Sequence, residues 1–271
     1  MAGVSLLGRY LLALLATVKR DARIYATYRF RLASQLLGTL LTLTIFFFVA
    51  KLVRHDAVGD HASYYEFVVV GLLTMTILQE AMMLSQLVRM ELFAGTFERV
   101  LVSPLGPVAG AIAMALFPVA FAVLFSGVML ALAAGVYGVP VNLAGVPLAL
   151  VVAALGALAF AAIAVLFVAA LIAFKSSIGA TWALAGLGLT AGVYFPTRLF
   201  PGWIRWISQV QPLTPTVDLL RHLLLRAPSA QPVSLELVKL AGFAIVLMPL
   251  AATLLRGAVA LSQRHGTIIE Y

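Results

Sequence analysis

The chain has no cysteine and very little charge. Without cysteine there is no disulfide framework, no thiolate metal site and no cysteine nucleophile. Only 10% of its 271 residues are Asp, Glu, Lys or Arg, against about 25% in a soluble domain, so water is not its main solvent. Acidic residues are the scarcer sign, 10 against 18 basic ones, which leaves a net charge of +8. A nucleic-acid partner would need those cations gathered into one patch. Here they stand at the ends of apolar runs, and no nucleic-acid role is expected. What fills the chain instead is hydrophobicity: 63% apolar residues and a mean hydropathy of +1.08.

About 20 apolar residues, each rising 1.5 Å along a helix, cross the hydrocarbon core of a bilayer. Residues 32 to 50 are uncharged between Arg31 and Lys51, and residues 67 to 88 carry only Glu80 between Glu66 and Arg89. From Val100 to Phe174 no residue is charged, and that run is too long for one crossing. Gly135, Gly138, Pro140 and Asn142 supply the turn that divides it into two helices. Residues 176 to 197 give a fifth span. Residues near 237 to 257 give a sixth, flanked by Lys239 and Arg256, which can snorkel to the interfaces. The predicted fold is an all-α polytopic membrane protein, one transmembrane domain over 1–271 with six transmembrane helices and both termini on one side. Eleven of the 18 basic residues fall on the side of the termini, six of them before the first span. The positive-inside rule therefore puts both termini in the cytoplasm.

Three stretches lie outside the spans. In the arm 1–31, Leu7, Leu11, Leu14, Leu15 and Val18 recur at helical spacing between Arg9 and the basic group Lys19, Arg20 and Arg23. This pattern predicts an amphipathic helix along the bilayer surface. It is not a signal peptide, because its apolar run meets charges rather than small residues. The cytoplasmic link 89–106 offers Thr96 as the N-cap of a short helix that Pro104 ends, with Glu98 near its positive pole. Such a helix suits force transmission from a partner domain, or is a plain interfacial connector. The exoplasmic segment 195–236 is too apolar for a free loop. Trp203, Ile204, Trp206 and Ile207 share one face of a short helix opening near Pro201, and Thr214 or Thr216 starts a second helix running to Leu225. The tryptophans are expected to be packed. Arg198, Arg205 and Arg221 are charges that hydrocarbon rejects, so the segment returns to the side it left.

The chemistry available is sparse. Secondary transporters keep ionisable groups inside the bilayer as relays or ion ligands, and Glu80 is the only acid within a span. Gln79 and Gln86 give its helix a partly polar surface. Glu80 either lines a transport path, bonds across a dimer or packs helices. A membrane enzyme acting on lipid would need a nucleophile with its base, a metal cluster or paired carboxylates. The four histidines lack the spacing of a helical metal pair, and His55, Asp56, Asp60 and His61 read as a solvated loop. No glycine-rich phosphate loop precedes Lys175-Ser176, so ATP has no site in this chain.

Several features taken in order resemble ABC transporter permeases of the type-2 exporter class. They are the six-span plan, the arm Lys19-Arg20-Asp21 leading to Tyr28-Arg29, and the link Gly95-Thr96 with Glu98-Arg99 and Pro104. Phe195-Pro196 follows, then Pro201-Gly202-Trp203 and Pro212-Leu213-Thr214-Pro215. The tail from Arg264 to Tyr271 is similar to that of the multidrug and lipo-oligosaccharide members. The resemblance covers essentially the whole chain. It implies a second copy of the chain as partner and two cytoplasmic ATPase subunits that carry ATP and Mg, with no cofactor in this chain. It also implies a coupling role for Gly95, Thr96, Glu98, Arg99 and Pro104, a re-entrant helical pair between spans five and six, and residence in the plasma (inner) membrane. Glu80, Trp182, Tyr194, Trp203 and Trp206 suit the path or gate of an amphipathic cargo, whether drug-like, lipid or lipid-linked glycan.

Overall fold

The computed structural model describes residues 6–52, 64–95, 106–175, 178–229 and 231–264, and every regular element among them is helical. Helix α1 covers Leu6–Thr27. It stops at Tyr28, the one non-helical residue before α2 (Arg29–Leu52), so the arm and the first span meet at a sharp elbow. The elbow is pinned from the side: the Tyr25 ring lies 5.6 Å from Phe117 and 4.5 Å from Phe121, both on α4 (Gly106–Tyr137).

Helices α3 (Tyr64–Phe93) and α5 (Val146–Phe174) form the centre, each buried over most of its surface. Helix α5 earns that place with a run of small residues, Ala149, Ala153, Gly156 and Ala157 among them, which let neighbouring backbones approach closely. A Cβ on Gly156 would stand 2.7 Å from Thr216 Cγ2. Helix α4 packs along α3, α9 (Val233–Arg264) packs along α5, and α2 is peripheral. Few residues of α2 and α9 are fully buried, and each leaves a broad apolar face outward, as lipid-facing helices do. The turn expected around Gly135 to Asn142 is present. Helix α4 ends at Tyr137, Gly138 adopts φ +73°, and a 3₁₀ turn at Leu143–Gly145 leads into α5.

Among the described residues, five helices are long and apolar enough to cross a membrane: α2, α3, α4, α5 with its leading turn, and α9. The expected fifth span over 176 to 197 differs. Helix α6 (Ile178–Thr190) has only 13 residues, a rise of about 20 Å against a hydrocarbon core of about 30 Å. It ends because Gly192 turns left-handed at φ +80° and Pro196 follows, so the chain from Ala191 to Phe195 is irregular. The two short helices expected beyond it are there. Helix α7 (Gly202–Gln209) opens after Pro201, and α8 (Leu213–Leu225) opens after Pro212 with Pro215 in its first turn.

Candidate functional site

Two constructions stand at opposite ends of the bundle. At the end that carries the arm, the elbow between α1 and α2 closes over α3 and α4 and leaves a cleft of about 240 Å³. Its floor holds Glu80, half-buried on α3, and its rim holds Arg20, Asp21 and Tyr28 from the arm. Arg20 Nε donates to Asp21 Oδ1 at 2.8 Å. Arg31, three residues past the elbow, stacks its guanidinium over the Tyr25 ring at 4.7 Å and lines the same cleft as Glu80. The Tyr25 hydroxyl donates to Gln35 Oε1 at 2.6 Å. Burial pushes the Tyr25 phenol above its usual range, against the pull of Arg31. Phe117 and Phe121 supply an aromatic wall, and the stack continues to Phe125 at 5.6 Å. Pro118 has no N–H to give the Met114 carbonyl, and both residues line the cleft.

At the far end, Arg221 of α8 is 5% exposed and ties three elements together. Its Nε and Nη2 donate to the Phe67 carbonyl at 3.1 and 3.0 Å, and Nη2 also reaches the carbonyls of Gly192 at 2.9 Å and Val193 at 3.1 Å. The guanidinium lies 3.4 Å from the Phe67 ring centroid, and Asp218 is 3.7 Å away. Irregular backbone at membrane depth survives only where its polar groups are satisfied inside the protein, and Arg221 does that for the broken end of α6. Gly71 makes the approach possible, since a Cβ there would stand 2.5 Å from the Val193 oxygen. Burial pushes Arg221 down to about 9, with Asp218 opposing, so the cation remains charged at neutral pH. Burial likewise raises the Asp218 carboxyl, against the effect of Arg221. Asp218 also borders a polar pocket of about 210 Å³ with Arg205, Glu236 and Lys239. There Arg205 Nη2 donates to the carbonyls of Arg198 and Phe200 at 2.9 and 3.0 Å and fastens the 3₁₀ turn Thr197–Leu199 to α7.

Among the residues singled out from sequence, Glu80, Arg20, Asp21 and Tyr28 come together in one cleft, while Lys19 and Arg29 stay exposed outside its lining. Tyr194 is half-buried and stacks on Phe46 at 5.9 Å. Trp182, 74% exposed on α6, and Trp203 and Trp206, 71% and 65% exposed on α7, face outward and are not among the residues lining the Glu80 cleft. The expectation that the α7 tryptophans are packed is thus not met within this chain. The short helix turns that edge outward, and Ile204, Ile207 and the buried Ser208 face inward. Arg221, expected to face water, is buried instead. Gly95 ends α3 in a left-handed turn at φ +64°. Thr96, Glu98, Arg99 and Pro104 lie outside the described residues, as do His55, Asp56, Asp60, His61 and the tail from 265. Tyr25, Arg31, Phe117 and Phe121 escaped the sequence reading because only the elbow at Tyr28 brings them together. Arg221 did carry a signal, an acid three residues before it on a helix with no other Asp, Glu, Lys or Arg.

No curated protein matches the chain. A family model described as ABC-2 type transporter matches residues 11–225, which takes in most of the arm, the cleft and Arg221.

Proposed function

Because the chain belongs to the ABC-2 type transporter family, it is a multi-pass membrane permease of an ABC transporter, and we propose that it is the membrane-spanning subunit of an ATP-driven exporter. The family match carries this reading, together with a sequence that holds no phosphate-binding loop. In this scheme two copies of the chain pair in the plasma (inner) membrane with both termini in the cytoplasm, and two separate ATPase subunits bind ATP and Mg. The link that begins at Gly95 and runs through Thr96, Glu98 and Arg99 to Pro104 takes the force of nucleotide closure. Helix α6 together with the irregular chain from Ala191 to Phe195 makes the remaining crossing, since α6 alone is too short, and α7 and α8 dip into the exoplasmic leaflet as a re-entrant pair whose outward tryptophans sit at headgroup level. An amphipathic substrate moves outward from the cytoplasm or the inner leaflet.

The cleft supports this reading, since it gathers the surface arm and Glu80, the acid near the middle of α3, at the end from which cargo would be loaded. The test is reconstitution in liposomes. The chain alone is expected to hydrolyse no ATP, and to support ATP-dependent movement of an amphipathic probe only when joined by its ATPase. ATP turnover that follows the concentration of the pure permease would reject the division of labour. ATP-driven uptake into right-side-out vesicles would reject the direction.

A further inference from the structure

We propose that the polar pocket between α7, α8 and the start of α9 holds the headgroup of a phospholipid that joins a primary ammonium to a phosphodiester, with the ammonium inward and the phosphate at the rim. The floor calls for hydrogen-bond donors. Glu236, in the first turn of α9, lines the pocket and is 4% exposed. Its carboxylate has no hydrogen bond and no ion pair among the described residues. Lys239, one turn further along α9, gives its ammonium to Gln231 Oε1 instead. The other acid of the pocket, Asp218, has Arg221 at 3.7 Å, so Glu236 is the carboxylate left to a ligand. In the same lining, the Thr214 hydroxyl oxygen is buried without a partner. Buried acceptors left unsatisfied are costly. A primary ammonium answers both with N–H donors and the opposite charge.

The rim calls for an anion. Arg198 and Arg205 line the pocket and are exposed. Arg205 commits Nη2 to two carbonyls, which leaves Nε and Nη1 to donate to a phosphate oxygen. A bare cation would serve the floor and not this rim, and a bare anion would meet Glu236 and Asp218. The volume sets the size. About 210 Å³ is several times the roughly 30 Å³ taken by one water and less than whole-ligand pockets of about 300–1,000 Å³. A headgroup fits, and its tails stay outside. The surface around the pocket suits them. Leu235 and Val238 are exposed on either side of Glu236 along α9, and Trp203 and Trp206 are exposed on either side of Arg205 along α7. Tryptophans and apolar side chains around a polar pocket match the headgroup layer of a bilayer, which favours a lipid over a soluble amine. The same floor selects ethanolamine over choline, because a trimethylammonium has no N–H for Glu236 or Thr214.

This inference goes beyond the exporter reading and needs neither ATP nor a second copy. The full chain in nonionic detergent micelles is titrated calorimetrically with dihexanoylphosphatidylethanolamine, with empty micelles subtracted. Saturable binding is expected, tighter by about tenfold or more than that of dihexanoylphosphatidylcholine. Glu236→Gln should remove most of that preference, and Thr214→Val, which leaves every charge in place, should reduce it several-fold. Dihexanoylphosphatidylglycerol keeps the phosphate without the ammonium and should bind as weakly as the choline lipid. Glycerophosphoethanolamine, the headgroup without tails, should bind more weakly than the lipid by about tenfold or more. Equal affinity for the ethanolamine and choline lipids, tight binding of the glycerol lipid, or an unchanged preference in Glu236→Gln would overturn the proposal. Glycerophosphoethanolamine binding as tightly as the lipid would overturn the lipid as its source. If Glu236→Gln fails to assemble, Thr214→Val decides, and an unchanged preference there would count against the site. ATP-driven export by a chain whose pocket ignores ethanolamine would remove this site and leave the exporter. A selective pocket in a chain that moves no cargo would do the reverse.

Discussion

Replacing Arg221 with leucine should unfasten the broken end of α6 from the centre of the bundle. The wild-type guanidinium serves three carbonyls, those of Phe67, Gly192 and Val193, at 2.9 to 3.1 Å, with Asp218 at the longer distance of 3.7 Å. A net hydrogen bond to a charged group contributes about 1.5–3 kcal/mol, but burying the cation offsets part of that sum. Leucine leaves three buried carbonyls without this donor, at about 1–3 kcal/mol for each unsatisfied group, and after the offset a loss of about 3–5 kcal/mol is expected. It corresponds to a fall in melting temperature of about 6–20 °C for a chain of this size, readable by circular dichroism of the protein in detergent micelles. Arg221→Lys keeps the charge without the planar fork and should fall between wild type and leucine. The geometry also apportions the effect. The carbonyls are close and the carboxylate is not, so Asp218→Asn should cost less than about 1.5 kcal/mol. If Asp218→Asn proved as damaging as Arg221→Leu, the residue would be an ion-pair partner rather than a carbonyl clamp. A leucine variant as stable as wild type would refute both.

Gly145→Ala should be disruptive, because its Cβ would stand 2.0 Å from the Leu223 oxygen where α8 meets the start of α5. The expected loss is about 1–3 kcal/mol, whereas Gly38→Ala, with nothing within 4 Å on the exposed face of α2, should be neutral or gain up to about 1 kcal/mol from helix propensity; both are read in the same melting assay. The native chain has no cysteine, so single cysteines report cleanly on the far end of the bundle. A membrane-impermeant maleimide added from outside should label positions 198 and 209 and spare 208, since Arg198 and Gln209 are exposed and Ser208 is buried. Equal labelling at 208 and 209 would mean an unstructured loop, and labelling only from the cytoplasm would reverse the topology. Charge reversal at Glu98 or Arg99 should lower ATP-dependent transport by about tenfold or more, the scale of one lost charge pair at an interface, while the amount of inserted permease stays constant. Normal transport by both variants would remove the link from coupling.

The sequence by itself determined the solvent, the helical class and most of the helix boundaries. Hydrocarbon demands long uncharged runs, and Gly138, Pro201 and Pro212 end or open helices through local backbone restrictions that need no tertiary context. The arm, the turn before α5 and the pair α7 and α8 were legible for that reason. What the sequence left undecided were the relations between residues far apart in the chain. Arg221 is separated from Phe67 by 154 positions and from Gly192 by 29, and in one dimension it is simply a charge to be placed in water. Only the packing of α8 against α3 and the broken end of α6 supplies the acceptors that make its burial favourable. Glu80 was visible as a lone acid, but its company was not. One non-helical residue at Tyr28 folds the arm back so that Tyr25 and Arg31 meet Phe117, Phe121 and Glu80. Periodicity reads one helix at a time, whereas a cleft depends on the angle between two helices, which packing alone decides.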